Sequence, residues 1–318
     1  LHVRSRRQRQ MCIRDRFSAG QGLHELLVPV RCAGCGAPGV DWCEKCHKHL
    51  AGPPRRIHPR VAIPCPVWSI SPYSGPVAAG IVALKEDRRQ ALAQPFGQAL
   101  AHAAAQLVAA GEILHPAERP WLLVPAPSTA LSIRERGFHH VREIAEAMAH
   151  TLQGAQYDQL SQGIQSVQPV QWKHPSGQCD GQTASLDALL GGISGEIVVA
   201  DVLQAAPHTD AVGLTATQRR DNLAGTITCH TQVVEQLEHL AETITSPQMT
   251  SAPTISSSSG IPQKRVSRWE ILLVDDVTTT GATIAECFFA LHNCGLRLRG
   301  ALTPVSYTHL TLPTTPYV

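Results

Sequence analysis

Residues 271–274, Ile-Leu-Leu-Val, lead straight into Asp275-Asp276-Val277-Thr278-Thr279-Thr280-Gly281-Ala282-Thr283. Four consecutive aliphatic residues predict a strand buried on both faces, the situation of a parallel strand covered by helices. The Ala- and Phe-containing run from Ala282 to Asn293 predicts a helix that stops near Gly295. A buried strand, a hydroxyl-rich turn and a helix in this order constrain the chain to an α/β architecture with its chemistry at the strand's carboxyl end.

That position dictates which groups the turn can bind. The first amides of the helix lack intrahelical partners and favour an anion. Thr278, Thr279, Thr280 and Thr283 add hydroxyl donors, and Gly281, in the turn that Val277 opens and Ala282 continues, lets the backbone approach a phosphate closely. Asp275 and Asp276 would repel that phosphate, so they need a different task. Accepting hydrogen bonds from vicinal hydroxyls is the natural one, and a ribose 5-phosphate meets both demands. The bland alternative is an acidic helix-capping loop, since Asp and Thr are common caps.

A chain of 318 residues is long enough to bury a sizeable core and to hold more than one structural unit. It has no apolar run long enough to span a membrane. Its net charge of +2 is set by residues 1–20, which carry six arginines against one aspartate and leave the rest of the chain at −3. The remainder therefore gives no charge argument for nucleic acid or membrane surfaces. Residues 1–20 and 305–318 read as non-native extensions, for both contain stretches that look like translated adapter sequence.

Cys32-Ala33-Gly34-Cys35 and Cys43-Glu44-Lys45-Cys46 form two knuckles separated by seven residues. That spacing suits four thiolates arranged tetrahedrally around one zinc ion, in a small unit over residues 21–60 that the metal would stabilise. A redox Cys-x-x-Cys normally occurs once and opens a helix, so the duplication favours a structural metal site. The other six of the ten cysteines are scattered, which, with no secretory signal evident, fits a reducing cytoplasm. Gly52-Pro53-Pro54-Arg55-Arg56 reads as a linker.

The second unit covers residues 61–304. Residues 62–80 predict short strands and turns, overlapping a helix from Val77 to Leu84 that stops at a charged loop in which Lys85 is a further phosphate candidate. A longer helix spans Gln90 to Ala110, with Pro95 kinking or restarting it. Trp121 to Val124 is a second buried strand, ended by alternating prolines. It leads to Arg134-Glu135-Arg136-Gly137-Phe138-His139-His140 and an amphipathic helix from Val141 to Leu152. Arg134 and Arg136 are candidates for pyrophosphate contacts, and a solvated basic loop fits them equally well. Ile197 to Ala200 reads as a strand leading to Asp201, and Leu214 to Leu223 as a short helix capped by Thr215. Residues 153–195 are weakly patterned. Residues 231–268 read as a flexible insertion containing one helical piece, Val233 to Ile244.

The acidic and threonine-rich turn resembles the ribose-phosphate loop of type I phosphoribosyltransferases. Taken with the double Cys-x-x-Cys, Val-Pro-x-Pro, Arg-x-Arg-Gly-Phe and Leu-Thr-x-x-x-Arg-x-x-Asn, it makes the chain similar to the ComF family over roughly residues 24–304. The resemblance implies a type I phosphoribosyltransferase-like parallel sheet flanked by helices and preceded by a zinc ribbon. It further implies binding of phosphoribosyl pyrophosphate with magnesium, with Asp275 and Asp276 on the ribose, the turn from Thr278 to Thr283 on the 5-phosphate, and Arg134 and Arg136 on the pyrophosphate. The family is linked to DNA uptake, so single-stranded DNA and a competence helicase enter as expected partners. His139-His140 departs from the Asn-Gln common in the family, as does Ala211 from Gln.

Overall fold

The computed structural model describes residues 30–154, 197–206, 225–244 and 268–307. The sequence-predicted central strand is β7, Glu270–Val274, and all five of its residues are buried. Each such aliphatic side chain contributes about 1.5–3 kcal/mol of burial free energy. Five strands precede it on the described chain outside the cysteine unit: β2 (Val67–Pro72), β3 (Trp121–Pro125), β4 (Ile197–Val199) and the separate antiparallel pair β5 (Leu203–Ala205) and β6 (Ile227–Cys229). Strand β1 (Arg55–Ile57) comes before these, and β8 (Val277–Thr278) and β9 (Leu298–Ser306) come after β7.

The main sheet has the order β1-β2-β9-β7-β3-β4, with β8 added on β9. Every pairing is parallel except β1 with β2. Strand β7 is therefore central, between β3 and β9, as its unbroken aliphatic run requires. Arg55 and Arg56 belong to β1, where the sequence suggested a linker. They pair with Ser69 and Trp68 on an edge strand, a place that tolerates the flanking prolines.

Helices α1 (Glu44–His47), α2 (Gly75–Lys85), α3 (Ala93–Ala109), α4 (Ala130–Arg136), α5 (His140–Gly154), α6 (Thr231–Ile244) and α7 (Ala282–Asn293) complete the described elements. Residues 62–80 hold one continuous strand, β2, followed by the start of α2, rather than several short strands. Pro95 lies in the first turn of α3, after a 3-10 turn over Gln90–Leu92, so it restarts the helix without breaking it. The αL conformation that ends α7 falls on Gly295, with φ of 80°.

Helix α6 realises the helical piece expected over Val233 to Ile244 and packs it into the core, while residues 245–267 lie outside the described residues. Val233, Leu237 and Ala241 are buried in the core, and the Trp269 indole N–H donates to the Leu237 carbonyl at 3.1 Å. An amphipathic stripe supplies its own reason to pack, which the low-complexity sequence after it obscures. Strand β9 runs two residues past position 304. Val305 and Ser306 continue β9, pairing with β8 and β2, and the Tyr307 N–H donates to the Thr278 carbonyl at 2.9 Å. The expected helix from Leu214 to Leu223 and the weakly patterned 155–195 stretch lie outside the described residues.

Helices α3 and α5 cross at Gly97. A Cβ placed there would lie 2.5 Å from the Ala147 Cβ and 2.6 Å from the Ile144 carbonyl oxygen, with backbone on the opposing side. Alanine gains up to about 1 kcal/mol in helix propensity, whereas forcing two packed helices apart costs about 1–3 kcal/mol or more. Gly97→Ala is therefore expected to lower stability by about 2 kcal/mol, read as a fall in the urea midpoint with an unchanged slope.

Candidate functional site

Asp275 and Asp276 follow the last residue of β7, and each is only 6 % exposed. The Asp276 amide donates to the Asp275 Oδ1 at 2.9 Å, so the Asp275 carboxyl is folded onto the backbone of its neighbour. Two side chains converge on the Asp276 Oδ2. Lys85 Nζ, from the last residue of α2, lies 3.2 Å away, and His140 Nε2, from the first residue of α5, lies 2.9 Å away.

Arg136 completes this relay. Its Nη1 sits 3.3 Å from the His140 Nδ1. A guanidinium has no acceptor, so Nδ1 accepts from Arg136 and the Nε2–H donates to Asp276. The hydrogen-bonded chain Arg136 to His140 to Asp276 thus carries positive charge towards the acids from outside. Arg134, expected beside Arg136, is exposed on α4, so only one of the two arginines reaches the acid pair. Gly137, in the left-handed region at φ of 88°, ends α4 and turns the chain into α5. His139 closes the first turn of α5 by accepting from the Arg142 N–H at 3.1 Å, and burial holds its pKa down to about 4.

The two acids titrate in opposite directions. Burial, and then the neighbouring Asp276 charge, push Asp275 well above the ordinary carboxylate value. Asp276 suffers the same burial, but Lys85 and His140 outweigh it and hold its pKa far below that value. The pair therefore presents one fixed anion and one acid that resists ionising, since like charges this close and this dry do not both ionise.

The turn that follows is more closely covered than the sequence suggested. Thr278 is buried; its hydroxyl donates to Thr303 Oγ1 at 3.2 Å, which in turn donates to the Val305 carbonyl. The Ala282 N–H donates to Thr280 Oγ1 at 3.3 Å, fastening the start of α7. Gly281 has φ of 84°, and a Cβ there would meet Pro59 Cβ at 2.5 Å and Ile63 Cδ1 at 3.0 Å. The Val61 N–H donates to the Thr280 carbonyl at 2.9 Å. Residues 59–63 thus lie across the helix mouth. Val277 and Thr283 are half-buried, Ala282 is buried, and Thr279 is exposed.

Of the residues that the sequence marks as candidates, the acids, the turn and Arg136 come together here. Lys85, marked only as a phosphate candidate, and His140, marked for no role, complete the site. Nothing in local spacing relates residues 85, 140 and 276; only the chain's folding does.

The cysteine knuckles do come together. The ligand atoms of Cys32, Cys35, Cys43 and Cys46 all lie within 4.8 Å of one another. Cys32 and Cys46 sulfurs are 3.6 Å apart, and those of Cys35 and Cys43 are 3.5 Å apart. A tetrahedral zinc site with Zn–S bonds of about 2.3 Å has sulfur edges of about 3.8 Å, so the cluster fits a metal such as zinc with little adjustment. The Cys43 N–H donates to the Cys32 sulfur at 3.3 Å, which stabilises a thiolate there. Trp42 anchors this unit on the rest of the protein, its ring 5.6 Å from Phe96 of α3 and pressed against Gly80 of α2. Arg89 adds an ion pair with Asp41.

The opposed titrations fix signs for two substitutions. A carboxyl whose folded pKa is raised costs stability above the unfolded value near pH 4, and the cost grows until the folded value is reached. Asp275→Asn is therefore expected to raise the melting temperature at pH 7 by a few degrees, with the gain fading towards pH 4. Asp276, depressed instead, stabilises above pH 4. Asp276→Asn is expected to lower the melting temperature at pH 7 and to lose that effect as the pH falls below 4; calorimetry on the two variants checks both signs.

No protein-family model matches the chain, and no curated protein sequence matches it.

Proposed function

We propose that the chain is a phosphoribosyltransferase-fold protein of the ComF type that binds phosphoribosyl pyrophosphate at the carboxyl end of β7. The observation that carries this reading is the convergence of Lys85, Arg136 and His140 on an acid pair that directly precedes a threonine-rich helix entrance. Both families of groups that a ribose bearing phosphates requires are present: acceptors for a diol, and cations for a diphosphate.

The chemistry follows from the placement. Asp276, fixed as the anion, accepts from one ribose hydroxyl, and Asp275 from the other. Once a diol takes over the Asp276 oxygen, Lys85 and the Arg136–His140 relay are released to face the diphosphate, where they stabilise the charge that develops as it leaves. Magnesium, a hard cation that keeps several waters, would supply charge neutralisation for the diphosphate when bound. The amides entering α7, with Thr279 and Thr283, take the 5-phosphate. Residues 59–63 must lift from Gly281 for this to happen. Zinc is assigned to the four-cysteine cluster in a structural role. The place in DNA uptake, with single-stranded DNA and a competence helicase as partners, rests on the sequence resemblance alone.

The covered turn favours a second reading, in which the chain keeps the fold without catalysis and acts as a ligand sensor or single-stranded-DNA-handling protein. Titration calorimetry separates the two. Phosphoribosyl pyrophosphate with magnesium is expected to bind, and joint replacement of Asp275 and Asp276 by Asn to weaken binding roughly tenfold to a hundredfold, since the one charged hydrogen bond lost, at Asp276, is worth about 1.5–3 kcal/mol. Heat on mixing with no change in the double variant defeats the site assignment. Pyrophosphate release with a panel of nitrogen bases then reports transferase activity. Metal analysis of the purified protein is expected to find about one zinc per chain, falling to none with Cys32→Ser and Cys46→Ser combined.

A further inference from the structure

At the opposite, amino-terminal end of β7 and β9 the structure holds a cavity of about 890 Å³ that the site above does not use. This size lies in the range of small-molecule pockets. Its base is apolar: Trp269 and Leu298 are buried, and Leu296 closes the turn after α7. One wall carries a stacked pair of rings, Phe288 and His292, parallel to within 6° with centroids 6.0 Å apart.

The polar lining is lopsided in charge. Three arginines, Arg119, Arg297 and Arg299, face the cavity together with His292, against two carboxylates, Glu238 and Glu270. Glu270, the first residue of β7, is 4 % exposed and engages two of the arginines loosely, with Arg299 Nε at 3.5 Å and Arg119 Nη1 at 3.8 Å. The Leu114 N–H donates to its Oε1 at 3.2 Å, and Arg299 also donates to the Glu112 carbonyl. A buried carboxylate thus fixes the two guanidinium groups at the rim while leaving donors on Arg119 unused by it. Arg297 is exposed and has no ion-pair or hydrogen-bond partner among the described residues. Helix α7 ends here, and its negative pole would oppose an anion. Its last carbonyls, however, are covered by the N–H groups of Cys294, Gly295 and Leu296. Helix-terminus effects of about 0.3–1 kcal/mol are also smaller than a charge-assisted contact to arginine, about 1.5–3 kcal/mol.

We propose that this cavity is a second ligand site, taking a small aromatic anion. Its ring packs against the Phe288–His292 stack, and its acid group meets Arg297 and Arg119. This assignment is independent of the phosphoribosyl pyrophosphate reading, because the two places lie at opposite ends of the same strand.

The test uses 8-anilinonaphthalene-1-sulfonate, an aromatic monoanion, titrated fluorimetrically into the full chain beside its uncharged analogue N-phenyl-1-naphthylamine. The sulfonate is expected to saturate a single site that weakens roughly tenfold in Arg297→Glu, as loss of one charge-assisted contact implies. Leu114→Trp, which places bulk at a partly exposed lining position, is expected to abolish binding with the melting temperature unchanged. Emission that never saturates, or a site that neither variant alters, overturns the proposal. Equal affinity for the uncharged analogue, unmoved by Arg297→Glu, overturns the assignment of an anion.

Discussion

The structure turns on a carboxylate that has no business being buried alone. Placing Asp276 at 6 % exposure beside a second acid carries a desolvation penalty of several kcal/mol, and the fold meets it by delivering one cation and one hydrogen-bond donor from distant parts of the chain. Lys85 closes α2, His140 opens α5, and Asp276 lies just past the central strand, so a single oxygen ties three elements together. Removing any partner leaves the others uncompensated in a dry environment. This is why the arrangement stiffens the carboxyl end of the sheet and also why it is poised for exchange: a ligand that supplies hydroxyls to the acid and anions to the cations restores every interaction it breaks.

Asp275 shows the cost left over. It accepts from the Asp276 amide but receives no cation of its own, and its pKa rises while its neighbour's falls. Two acids adjacent in sequence thereby acquire different characters from their surroundings alone. The peptide geometry after a parallel strand directs their side chains differently, and only one of them finds Lys85 and His140.

The cysteine unit is connected to this end of the sheet by the chain itself. From the thiolate cluster the backbone passes through α1, joins the sheet edge as β1, and then runs as residues 59–63 across Gly281. The same unit presses Trp42 onto α2, whose last residue is Lys85. A cluster too small to fold by apolar burial thus sets the position of the strap over the helix entrance and of the helix that carries the lysine.

Much of this was readable from local sequence, and what was not has a physical cause. The β7 strand and α7 helix were legible because an unbroken aliphatic run and a helical stripe each report burial within a dozen residues. The cysteine cluster was legible because ligand spacing is itself the geometry. His140 was not, since its role comes from a partner 136 positions away that no periodicity encodes. Strand β1 was hidden by its arginines and the prolines before it, which belong on a sheet edge as readily as in a linker. The packed face of α6 was masked by the polar sequence that follows it.

Strand β7 also explains how its own register is held. Between Glu270 and Asp275 lie four residues of zero exposure, paired with β3 on one side and β9 on the other. A slip of one residue in either direction would draw a carboxylate towards that layer, taking Glu270 away from Arg119 and Arg299 at one end or Asp276 away from Lys85 and His140 at the other. An unpaired charge there costs several kcal/mol, more than the roughly 1 kcal/mol that a misplaced strand residue forfeits through β-propensity. Aliphatic residues alone would let the strand slide, because Ile, Leu and Val fill adjacent positions almost interchangeably. The acids at both ends remove that freedom, and in doing so they fix where the helix entrance stands relative to the carboxyl pair.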